Sequence, residues 1–115
     1  MLPAARRLRT PAEFTACFRD GRKAAGRTVV IHVRRPDLDN PPGITRVGFV
    51  VSKRIGNAVA RNRAKRRLRH IVRDLPTPVA TDVVVRALPP IAEAGPELAQ
   101  DVSATWARAL RKVTP

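Results

Sequence analysis

Arg61-Asn62-Arg63-Ala64-Lys65-Arg66-Arg67-Leu68-Arg69-His70-Ile71-Val72-Arg73 holds seven basic side chains and no acidic one. The chemistry this offers is polyanion binding, because each guanidinium or ammonium can neutralise a phosphate and release its counterions. The stretch also keeps an apolar stripe. Ala64, Leu68, Ile71, Val72 and Leu75 recur at spacings of three and four, the period of a helix that packs on something. Asn62, Lys65, Arg66, Arg69 and Arg73 fan out on one flank of that stripe, and Arg63, Arg67 and His70 on the other. Arg61 projects near the stripe itself, so it is expected in the first turn, beyond the sheet edge. A disordered basic tail needs no such stripe. The pattern predicts a packed helix that presents fixed cations.

Other chemistries find little support. The two histidines, His32 and His70, fall on a predicted strand and on the basic helix, and no spacing brings them together as an acid/base pair. Cys17 is the only cysteine, which excludes an internal disulfide and a Cys-cluster zinc site. Between Phe14 and Phe18 it reads as a small apolar residue rather than a nucleophile. No catalytic side chain and no metal ligand is therefore expected.

The elements that must position the basic array follow from period and punctuation. The chain has 115 residues, enough for one domain with one modest core. Residues 1–9 are basic and expected to be flexible. Thr10-Pro11-Ala12-Glu13 opens a helix with a capping box and a proline at the first position. That helix runs to about residue 19, with Phe14 and Phe18 on one face. Strands are expected over 28–34 and 46–53, joined as an antiparallel hairpin. In the first, Val29, Ile31 and Val33 alternate with Thr28, Val30, His32 and Arg34; in the second, Val47, Phe49 and Val51 alternate with Arg46, Gly48, Val50 and Ser52. Ile55-Gly56-Asn57 turns into the basic helix over 58–75, which Pro76 and Pro78 stop. A third strand spans 82–88. A last helix follows Gly95-Pro96, with Leu98, Val102, Ala109 and Leu110 at helical spacing and Trp106 nearby. The order helix, strand, strand, helix, strand, helix predicts an α+β fold, with three helices on a small, mostly antiparallel sheet.

Charge narrows the partner. The formal net charge is +14. Residues 1–73 carry +15 of it and residues 74–115 carry −1. A field of that size implies nucleic acid or an anionic membrane. A membrane-surface helix would carry aromatic residues opposite its charges, and the basic helix has none, so nucleic acid is favoured. No run of eighteen apolar residues exists, and the N-terminus has no apolar core after its charges. A cytoplasmic location is expected.

Arg61 to Arg69, preceded by Ser52-Lys53-Arg54-Ile55-Gly56-Asn57-Ala58-Val59, resembles the signature of the protein subunit of bacterial ribonuclease P. Phe14 and Phe18, Arg46-Val47-Gly48-Phe49, and a strand and helix after the signature lie in the family's order, so the resemblance covers about residues 6 to 112. It implies a single RNA-binding domain in a two-layer, ribosomal-protein-like fold, whose βαβ unit has a left-handed crossover. It implies a subunit of an endoribonuclease that removes the 5′ leader from precursor tRNA. The chemistry would be carried by a catalytic RNA and its Mg²⁺, with no cofactor on the protein alone and no small-molecule substrate. The partners would be that RNA, bound through Arg61, Asn62, Arg63, Lys65, Arg66 and Arg69, and precursor tRNA. The leader would lie in a cleft lined by Phe14, Phe18, His32, Val50, Ser52 and Arg54. Two positions depart from the pattern. His32 stands where relatives often carry an aromatic residue, and Ala64 is smaller than the aliphatic residue common there.

Three rival readings differ in class. A ribosomal or assembly protein would show the basic helix without an aromatic groove. A DNA-binding regulator would need a dimer or a helix-turn-helix partner, and a strand precedes the basic helix here. A stand-alone nuclease would cleave precursor without RNA.

Overall fold

A computed structural model describes residues 6–35, 45–77 and 80–114. Its elements are α1 (Pro11–Asp20), β1 (Arg22–Ala25), β2 (Val29–Arg34), β3 (Arg46–Val50), α2 (Ala58–Val72), β4 (Asp82–Ala87) and α3 (Glu97–Arg111), with short 3₁₀ turns at Lys53–Ile55 and Pro89–Glu93. The sheet order is β1-β2-β4-β3. β1 and β4 both pair antiparallel to β2, whereas β3 pairs parallel to β4. The fold is α+β with three helices and a mostly antiparallel sheet, as expected.

Two features differ from the sequence reading. β1 was not anticipated, since Arg22-Lys23-Ala24-Ala25 has almost no β propensity. It forms because the chain turns at Gly26 and lays these residues along β2. The expected hairpin between the strands at 28–34 and 46–53 does not exist. β4 inserts between them, and β3–α2–β4 is a parallel crossover unit. Burial and charge both favour this order. Val83, Val84 and Val85 are fully buried, and such a continuous apolar run suits a central strand covered on both faces. Insertion also sets Asp82 opposite both Arg34 and Arg46. A β2–β3 hairpin would lack that carboxylate between two strands that each carry an arginine, and like charges placed opposite each other destabilise a sheet.

The two sheet faces have different roles. Val29, Ile31, Val33, Val47, Val83, Val85 and Ala87 face α2 and α3 and form the main core with Leu68, Val72, Leu98, Val102 and Trp106. α2 follows an Asn57 cap, whose side chain accepts the Ala60 N–H at 2.9 Å. The preceding Gly56 has φ 145°, a backbone region that side-chain-bearing residues avoid. Ala64, Leu68 and Val72 are the buried stripe of α2, with Ile71 and Leu75 partly buried beside it. In α3 the Trp106 Nε1–H donates to the Pro76 carbonyl at 2.9 Å, tying the last helix to the end of α2. Asp101 of α3 accepts the Thr28 N–H at 2.8 Å and the Arg27 N–H at 3.2 Å, anchoring the β1–β2 turn. Burial alone would raise its carboxyl pKa, but a hydrogen bond from the Thr28 hydroxyl, together with these two N–H groups, outweighs burial and lowers it. The opposite sheet face is covered over only part of its extent, by α1.

A candidate RNA-binding groove and basic helix

The groove begins with α1 and what seats it. Thr10 accepts the Glu13 N–H at 3.2 Å, and Glu13 Oε1 accepts the N–H groups of Thr10 and Arg9, each at 2.8 Å. The other Glu13 oxygen accepts from Arg46 at 2.6 Å. Arg46 also makes a bidentate pair with Asp82, at 2.9 Å for each bond. Asp82 is 1% exposed, so it needs this partner. Backbone hydrogen bonds from Thr10 and Arg9, assisted by Arg46, hold the Glu13 carboxyl below its usual range. The helix cap is thus also the clamp that fixes α1 on the sheet.

The clamp sets Phe14 over Gly48 and Phe18 beside His32. A Cβ at residue 48 would lie 2.5 Å from the Phe14 ring, so only glycine admits this approach. Leu8, Cys17 and Val84 form a small second core with Phe14 and Val50 packed against it. Burial pushes the Cys17 thiol up to about 11, in keeping with its reading as a small apolar residue. Leu8, in the segment read as flexible, is buried and donates its N–H to the Val47 carbonyl at 3.0 Å. Residues 1–5 of that segment lie outside the described residues.

Phe18 is 43% exposed and meets His32 edge-on, with ring centroids 4.7 Å apart and planes at 84°. Beyond it, among the described residues, Arg86 and Val50 are the partly exposed residues of this sheet face. Pairing sets His32, Val84 and Gly48 in one row, and Val30, Arg86 and Val50 in the next. Past Val50 a depression of about 190 Å³ is lined by Val50, Ser52, Arg54, Arg86 and Leu88, among others. The six residues expected to line a cleft therefore lie along one side of the sheet. Phe14, Phe18 and His32 stand at the α1 end, and Val50, Ser52 and Arg54 at the other. Arg86 lies between them and was missed. The available signal was a lone charge inside Val83-Val84-Val85-Arg86-Ala87.

On α2, Asn62, Arg63, Arg66 and Arg69 are exposed and Lys65 is half-buried. Lys65 and Arg69 line a crevice of about 150 Å³ with Arg7, Leu8, Phe14 and Phe49. The Arg69 guanidinium stands 6.0 Å from the Phe49 ring centre, at the edge of cation–π range. Phe14 borders this crevice, so the basic flank continues around the β3 edge toward the groove. Arg61 is half-buried and its Nε is sealed from water without a partner. It sits less freely than an arginine beyond the sheet edge would. Arg67 is committed structurally, donating to the Gly95 carbonyl at 2.9 Å. His32 and His70 lie on different elements. Among the described residues, no group of three or more His, Cys, Asp or Glu side chains could hold a metal ion. No helix among them is long and apolar enough to cross a membrane.

A family model described as Ribonuclease P matches residues 2–110. The chain belongs to the ribonuclease P protein family. Within that family it is 47% identical over 119 residues to the ribonuclease P protein component of a Nocardioides species, covering 99% of each chain. It is 46% identical to that of Kocuria rhizophila, covering 97% of this chain and 98% of the relative. The RNase P protein of Thermotoga maritima superposes with a TM-score of 0.70 at 25% identity, over 95% of this chain and 98% of that one. The Staphylococcus aureus protein gives 0.72 at 24% identity over 95% of both, which supports the fold. Members of the ribonuclease P family are protein subunits of an endoribonuclease that matures tRNA 5′ ends, and this chain takes that role with an RNA partner.

Proposed function

We propose that α2 binds the catalytic RNA of ribonuclease P and that the open sheet face holds the 5′ leader of precursor tRNA. The carrying observation is the placement of Phe18. An aromatic ring left exposed on the helix that borders the groove is a stacking surface for a base, and the six cleft residues lie on its side of the sheet. Stacking holds a single strand with little regard to sequence, as variable leaders require. Arg61, Asn62, Arg63, Lys65, Arg66 and Arg69 meet the phosphates of the folded RNA. A packed helix lowers the ordering cost of each contact. The hydrolytic chemistry belongs to the RNA and to Mg²⁺ bound there, and the protein's work is positioning in the cytoplasm.

Phe18→Ala in the reconstituted holoenzyme tests this. Affinity for leader-bearing precursor should fall by about 1–3 kcal/mol, while affinity for mature tRNA stays unchanged. Equal losses for both ligands would remove the leader assignment and leave the α2 assignment standing.

A further inference from the structure

Three basic residues share the groove face of the sheet, and among the described residues none of them is in an ion pair. Lys23 of β1 stands directly opposite His32 of β2. Arg86 of β4 pairs with Val30, two residues from His32 along β2, and so is the diagonal neighbour of the imidazole. Such neighbours share one sheet face, within roughly 5–8 Å of each other. His32 is only 8% exposed, yet its Nε2 has no hydrogen-bond partner. The Arg86 Nε is likewise buried and unpartnered. Buried polar nitrogens left unsatisfied are costly and rare. Among the described residues, the acids beside this face pair with other cations: Asp82 with Arg34 and Arg46, and Glu13 with Arg46. Packing supplies no reason for an arginine in a central strand of the sheet. An anion on the groove floor does.

We propose that Lys23, His32 and Arg86 form a phosphodiester seat, and that His32 takes up one proton from solvent when the seat is filled. This rests on the leader reading of the groove. A base stacked on Phe18 carries its phosphate one backbone step away, next to His32, whose ring Phe18 already touches. In the free chain burial, then repulsion from Arg86 and Lys23, lowers the imidazole pKa and favours its neutral form. α1 brings the uncharged Phe18 ring against it, and the neighbouring Cys17 is a neutral thiol. On its own strand, Arg34 is paired with Asp82. A phosphodiester charge among these cations reverses the sign and favours imidazolium. The pKa of His32 is then higher in the complex than in the free chain. Leader affinity therefore rises as pH falls through the window between the two values. Each unit of difference contributes at most about tenfold.

The test uses holoenzyme reconstituted with the cognate catalytic RNA, and a precursor made non-cleavable by a 2′-deoxy sugar at the scissile position. Binding is measured from pH 5.5 to 8 at fixed salt and Mg²⁺, with mature tRNA as the reference ligand. The expected result is a leader-dependent gain of about three- to tenfold toward low pH. His32→Phe should bind leader-bearing precursor less tightly than wild type at low pH and show a flat profile. Arg86→Leu should weaken leader binding at every pH and raise the imidazole pKa of the free chain, read by NMR. In the wild-type full chain, added oligouridylate should raise that pKa, which keeps the test decisive if a variant folds poorly. A flat wild-type profile, an unchanged slope in His32→Phe, or an imidazole pKa indifferent to oligouridylate overturns the seat. A leader-specific loss in Phe18→Ala alongside a flat pH profile sinks the seat alone, whereas equal losses for both ligands take down the leader reading and the seat together.

Discussion

Phe14 and Phe18 lie one helical turn apart on α1, yet they do different work. The Phe14 ring rests against Gly48 and Leu8 and holds α1 down, whereas Phe18 leaves much of its ring in water. Gly48 controls the first of these. Gly48→Ala places a methyl group 2.5 Å from the Phe14 ring, so the helix must shift or the ring must leave its rotamer. Overpacking of this kind typically costs about 1–3 kcal/mol. A urea titration should show that loss, and leader affinity should fall with it because Phe18 moves with α1. Unchanged stability would mean that the ring repacks freely and that Gly48 does not set the groove width.

At the scale of elements, α2 divides its charges between two jobs. Arg63 and Arg66 are exposed, while Arg67 reaches the Gly95 carbonyl and braces the approach to α3. Arg61→Ala plus Arg63→Ala should weaken catalytic-RNA binding by about tenfold, with the circular dichroism spectrum retained, since Arg63 is exposed and the half-buried Arg61 leaves its Nε without a partner. Arg67→Ala should do the reverse. It forfeits a hydrogen bond from a charged donor, worth roughly 1–2 kcal/mol at a partly buried site, and spares most of the affinity. Filter binding and thermal melts on both variants separate the two roles. The basic stripe was legible in the sequence because helical period alone sorts Ala64, Leu68 and Val72 from the cations around them. The commitment of Arg67 was not, because its partner Gly95 lies 28 residues away.

For the whole molecule the governing quantity is the field. A net charge of +14, concentrated in the first two-thirds of the chain, makes association with RNA a counterion-release process. With roughly five to seven cations on phosphate, log affinity should fall against log salt with a slope on the order of −3 to −6. A filter-binding series from low to moderate salt measures it. A flat response would mean that α2 is not the RNA-binding surface.

Local pattern by itself determined much of this protein. Helical period, the Thr10–Glu13 capping box, the Asn57 cap, the β-branched runs and the one-sided charge depend only on neighbours in the chain. They were enough for the helices, three of the four strands, the cationic face of α2 and the family resemblance. What depends on residues far apart was decided by the tertiary structure. β4 displaced the expected hairpin because burying Val83, Val84 and Val85 on both faces and setting Asp82 between two arginines outweighs the pairing of chain neighbours. β1 exists only because β2 offers it an edge. Arg86 reads in the sequence as one more surface charge. It becomes part of a groove only when β4 lies beside β2 and α1 leaves that half of the sheet uncovered, since the register that places Arg86 beside His32 is a property of the assembled sheet.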